Sequence, residues 1–139
     1  MLESEVQRLV TIVFRAAGGV VYDLSQGVRG KKEPGGKWNA QGGTRQTPGL
    51  PDLRVFFPRL GICGDFEVKT PEGERLHQKM LSAPAGTIKA YQLKNYQRAM
   101  AQDQYEQHCK SCHHPYARGG AAEAAAWLRS LGIIPGSTL

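Results

Sequence analysis

The chain has 139 residues, of which 40% are hydrophobic and 22% charged, with a formal net charge of +6 at pH 7. These fractions are ordinary for a soluble globular protein, and the length suits one domain that buries a core without disulfide or metal staples. The excess of lysine and arginine points to a polyanionic partner, nucleic acid being the commonest. No stretch approaches the roughly 20 apolar residues that cross a bilayer, and Met1 to Gln7, with two glutamates, does not read as a secretory signal. Three cysteines, two of them spaced Cys-x-x-Cys, argue against a disulfide framework and for a reducing, cytoplasmic setting.

Leu2, Val6, Leu9, Val10, Val13 and Phe14 recur at helical spacing, and Gly18-Gly19 follows as a terminator, so the chain opens with an amphipathic helix. Val20 to Leu24 has the β-branched and aromatic content of a short strand. Residues 25–49 hold seven glycines and five basic residues, Arg29, Lys31, Lys32, Lys37 and Arg45, with Glu33 as the one acid. Nothing there is periodic, and we expect a long basic loop able to close over a phosphate backbone. The plain alternative is a solvated insertion.

Leu53 to Phe57 and Asp65 to Lys69 read as two further strands, joined by a turn over Pro58 to Gly64. Thr70 to Thr87, rich in Pro and Gly, reads as irregular. Lys89 to Gln107 is compatible with a helix whose neighbouring faces carry Leu93, Tyr96, Met100 and Gln97. His114 to Arg118 fits a short strand, and Ala121 to Leu131 an alanine-rich helix that stops at Gly132. The expected order is α-β-β-β-α-β-α, a mixed α/β fold in one domain.

Alternation along a strand puts Glu67 and Lys69 on one face and Phe66 and Val68 on the other. If the two strands pair as a hairpin, Asp52 lies near the end of the second, beside Glu67 and Lys69. Two carboxylates and a backbone carbonyl are hard oxygen donors suited to Mg²⁺, and a lysine beside them can orient water or stabilise charge on a phosphate. Alone, a Glu-x-Lys pair is more often a solvated strand face.

Gly49-Leu50-Pro51-Asp52-Leu53, then Phe66-Glu67-Val68-Lys69, then Leu93-x-x-x-Gln97 resembles the VRR-NUC branch of the PD-(D/E)xK nuclease superfamily, over roughly Glu3 to Gly132. The resemblance implies a restriction-endonuclease-like core and a Mg²⁺- or Mn²⁺-dependent DNA endonuclease in a bacterial or phage-infected cell. It also implies a homodimer like the Holliday-junction resolvases, since one core cuts one strand. Carried over by position, Asp52, Glu67 and the Val68 carbonyl would hold the metal and Lys69 would be the catalytic lysine. The family's glutamate on the first helix corresponds to Glu3 or Glu5; Glu3 lies nearer the centre of the apolar stripe and is preferred, although an acid there also suits the helix dipole. The family's catalytic glutamine corresponds to Gln97, with Gln78 as a rival.

His108-Cys109-Lys110-Ser111-Cys112-His113-His114 packs five potential ligands into seven residues. Cys109, Cys112, His113 and His114 are candidate zinc ligands, with Cys63 and His77 the remaining donors elsewhere in the chain. A zinc-stabilised, non-catalytic DNA-binding or assembly module is therefore the alternative to the nuclease. The plain reading is a helix-to-strand connection with reduced thiols. Cys109-x-x-Cys112-His113 also spells a haem-attachment pattern, but such attachment belongs to exported proteins.

Overall fold

The structure, a computed structural model, describes residues 1–25, 31–32, 38–39, 47–84 and 86–133. Helix α1 (Glu3–Ala16) opens the chain and buries Val6, Val10 and Phe14, one side chain per turn along a single stripe. Strand β1 (Val20–Asp23) follows, then β2 (Lys31–Lys32) and β3 (Trp38–Asn39), which pair with each other and not with the main sheet. Of the expected basic loop, residues 26–30, 33–37 and 40–46, with Arg29, Lys37 and Arg45, lie outside the described residues.

β4 (Leu53–Phe57) and β5 (Ile62–Val68) form an antiparallel hairpin, with Leu53 opposite Phe66 and Phe57 opposite Ile62. β1 pairs antiparallel with β4, and β6 (Tyr116–Gly119) runs parallel to β5, giving a mixed sheet ordered β1-β4-β5-β6. β5 begins two residues before the expected Gly64 limit of the turn. Gly64 lies within the strand, opposite Val55, and is glycine because a Cβ there would stand 2.7 Å from the Trp127 ring.

Leu53, Val55, Phe57, Phe66 and Val68 face α1 and the last helix, α4 (Ala121–Ser130), whose Ala124, Trp127 and Leu128 complete the core. Phe14, Phe66 and Trp127 meet there with ring centroids 5.3 to 5.8 Å apart. On this side the sequence expectation and the structure agree.

The opposite face differs from expectation. Thr70 to Thr87 is not irregular: it contains helix α2 (Pro71–Ser82). Pro71 sits at the first helical position, where its missing N–H costs nothing, and the Thr70 side chain accepts from the Gly73 N–H at 3.0 Å. The residues that look like breakers are therefore start signals. A short 3₁₀ turn (Ala90–Gln92) leads into helix α3 (Leu93–Ser111). Its buried residues are Ala99, Gln102 and Cys109, whereas Leu93 and Met100 are exposed. The extra helix makes the order of the main elements α-β-β-β-α-α-β-α. Arg118 on β6 fastens α2 and α3 to the sheet through Glu74, at 2.9 Å, and Glu106. No described helix is long and apolar enough to cross a membrane.

Candidate functional site

The β4–β5 hairpin brings Asp52, Glu67 and Lys69 together at one end of the sheet. Asp52 lies one residue before β4, and Leu53 faces Phe66, so its carboxylate reaches the last residues of β5. There Asp52 Oδ2 accepts the Val68 N–H at 2.9 Å. Its own carbonyl accepts the Leu24 N–H at 2.8 Å, so Asp52 is fixed from both sides. Cys63, Asp65 and Glu67 alternate onto the face turned toward α3, while Phe66 and Val68 enter the apolar core.

Gln102 on α3 completes the group. Lys69 Nζ donates to Gln102 Oε1 at 2.9 Å, and Gln102 Nε2 donates to Glu67 Oε1 at 3.1 Å. This is neither of the glutamines singled out by position. Gln97 is exposed on another side of α3, and Gln78 is exposed on α2, where it donates to Glu74 at 3.0 Å. Five residues of helix turn Gln97 about 140° away from Gln102. The available signal was the stripe Ala99, Gln102 and Cys109, which follows helical spacing with small and polar residues instead of large apolar ones.

Two clefts, of about 170 and 190 Å³, flank the carboxylates and share Arg98 and Gln102 in their walls. The first also contains Glu3, Lys69 and His77; the second contains Asp52, Glu67 and Gly49. Glycine is required at 49: its φ is +88°, and a Cβ would stand 2.5 Å from the Ala101 carbonyl oxygen. That close approach lays the Thr47–Leu50 segment against α3. Of the two first-helix glutamates, Glu3 lines a cleft, whereas the Glu5 carboxylate accepts the Leu2 N–H at 2.9 Å and caps α1.

Burial dominates the electrostatics. It pushes the Glu67 carboxyl up, aided by the neighbouring charge of Asp52 and opposed by Lys69. Burial also raises Asp52, against the lowering effect of the Val68 N–H. Lys69 is pulled down, first by burial and then by the charge of Arg98, with Glu67 acting the other way. Glu67 Oε2 is buried and has no hydrogen-bond partner. An unpartnered carboxylate oxygen beside a second carboxylate is a pair of hard donors, but Glu3 does not join Asp52 and Glu67 in a set of three donors within 4.8 Å; among the described residues that closeness is reached by Asp65, Cys109 and His114. His77, which the sequence reading did not place here, is buried with both ring nitrogens unpartnered, and burial keeps its pKa low.

The candidate zinc set is not assembled as expected. Cys112, His113 and His108 are exposed, and Cys63 is half-buried on β5. Cys109 is buried within α3 and His114 is half-buried just before β6; these two meet Asp65, with one ligand atom from each all within 4.8 Å of one another. The reason is the end of α3. His113 takes a left-handed conformation (φ 56°) and donates to the Lys110 carbonyl at 3.2 Å, while the His114 N–H donates to the Cys109 carbonyl at 2.8 Å. This paired closure is a Schellman motif, which folds His114 back over Cys109 and leaves Cys112 and His113 facing solvent.

Comparison with known protein families, with curated proteins and with solved structures finds no match.

Proposed function

We propose that the chain is a metal-dependent DNA endonuclease of the PD-(D/E)xK type that hydrolyses phosphodiester bonds. The observation that carries this reading is the convergence of Glu67 and Lys69 on Gln102 and of Asp52 on the Val68 N–H between them, with Glu67 Oε2 buried and unpartnered. Asp52 and Glu67 are the ligands for Mg²⁺ or Mn²⁺, with the Val68 carbonyl as a further donor. The cation, when bound, supplies a more acidic water and neutralises charge on the phosphate.

The chain's own residues do the rest. Gln102 holds the Lys69 ammonium toward the carboxylates, where it orients the attacking water and offsets charge on the phosphoryl oxygens. Burial lowers the Lys69 pKa and eases release of its proton. Arg98, in the wall shared by both clefts, offers a cation to a flanking phosphate. The net charge of +6 suits a polyanionic substrate. Two copies are required for paired cuts, which makes a homodimer part of the proposal. The non-catalytic zinc module built on Cys109 and Cys112 has less support, because Cys112 faces solvent.

Asp52→Ala and Lys69→Ala test the site. Each should reduce cleavage by roughly two orders of magnitude or more while leaving DNA binding within a few-fold of wild type. Wild-type cleavage rates in either variant would remove the residue from the chemistry.

A further inference from the structure

A second cluster of ligating groups lies farther along the α3-facing side of β5, and it has a different chemical character. We propose that Asp65, Cys109 and His114 form a zinc site that clips α3 to the sheet, separate from the hard-cation site at Asp52 and Glu67. The three donors come from β5, from α3 and from the residue that the α3 C-terminal motif folds back.

Geometry favours the assignment. Donors around a tetrahedral zinc ion lie roughly 3.3–3.6 Å apart, given bond lengths of about 2.0–2.3 Å. One ligand atom from each residue falls within 4.8 Å of the others, and His114 Nε2 stands 3.1 Å from Asp65 Oδ2. That short separation is not a hydrogen bond in this orientation: Nε2 is buried and makes none. A buried, unpartnered imidazole nitrogen beside a carboxylate and a thiol is poised to donate its lone pair.

Asp65 is held by neighbours of the kind that steady metal ligands. Arg54 donates to both of its oxygens, at 2.8 and 3.1 Å, and the Tyr105 hydroxyl donates to Oδ2. Without a metal, burial raises the Cys109 thiol so that it keeps its proton, and Arg54 offsets Asp65; zinc binding would release that proton and leave a thiolate beside the dication. Sulfur with imidazole and one carboxylate selects a borderline-soft ion, whereas an all-oxygen set selects Mg²⁺ or Mn²⁺. The two clusters therefore sort different metals. Three protein donors leave one zinc position to water.

The assignment does not depend on the nuclease reading, and its test uses no activity. The full chain is purified without chelator, assayed for zinc, then stripped and loaded with Co²⁺. We expect stoichiometric zinc and a near-ultraviolet thiolate-to-cobalt charge-transfer band, which the all-oxygen site cannot produce. Cys109→Ser and His114→Ala should lose the bound zinc and the band, and Cys112→Ser should keep both. Should Cys109→Ser not fold, the half-exposed His114→Ala decides, with its fold checked by circular dichroism. Absence of the band in folded wild-type protein overturns the proposal, as does a band that survives His114→Ala or disappears in Cys112→Ser.

Discussion

Glu67 carries a desolvation cost in the folded chain. It is 2% exposed, one of its oxygens has no partner, and its carboxyl is pushed up to about 8 from an ordinary 4.5 by burial and by Asp52. A folded-state pKa above the unfolded one means that the native protein holds the proton more tightly. The folded state is thus favoured below pH 4.5, and that advantage is lost as pH rises toward about 8. Glu67→Gln keeps the acceptor for Gln102 Nε2 and removes the ionisation. In metal-free protein it should therefore be more stable than wild type by about 1–2 kcal/mol at pH 8, with the difference shrinking toward pH 4. Denaturant melts of both proteins at the two pH values check this. Equal stability at pH 8 would mean that Glu67 is not held in a desolvated site.

Helix α3 shows why half of the site was readable in the sequence and half was not. Asp52, Glu67 and Lys69 sit at the ends of strands whose apolar alternation, through Leu53, Val55, Phe66 and Val68, fixes both pairing and facing. Their meeting followed from local pattern alone. The face of α3 that meets them is polar, because it packs on Asp65, Glu67 and Lys69 and not on a hydrophobic layer. Hydrophobic periodicity therefore drew attention to Leu93 and Met100, which are exposed, and passed over Ala99 and Gln102, which are buried. Helix α2 was missed for a different reason: Pro71 and Gly73 occupy its first turn, where a helix tolerates them. The choice of glutamine is measurable. Gln102→Ala should cut cleavage about tenfold or more, since it frees Lys69 and removes the hydrogen bond Glu67 receives from the Gln102 amide. Gln97→Ala and Gln78→Ala should stay near wild type. A larger loss in Gln97→Ala than in Gln102→Ala would move the active face of the helix.

Across the whole molecule, the sheet separates two environments. One face packs Phe14, Phe66, Trp127 and their aliphatic neighbours beneath α1 and α4, which supplies the stability expected of a domain this size. The other face, beneath α2 and α3, buries Asp65, Glu67, His77 and Gln102 and holds the proposed site. A rigid apolar layer behind β5 lets the strand present charged groups on its opposite side without local collapse. On the proposed function, this polar face cuts DNA with the help of a divalent cation. The most direct measurement incubates the purified chain with linear, flapped and four-way DNA in Mg²⁺, Mn²⁺ or EDTA. We predict strand cleavage of at least one of these DNAs with Mg²⁺ or Mn²⁺ and none in EDTA. Folded, DNA-binding protein that cuts none of the three with either ion, or that cuts equally well in EDTA, would contradict it.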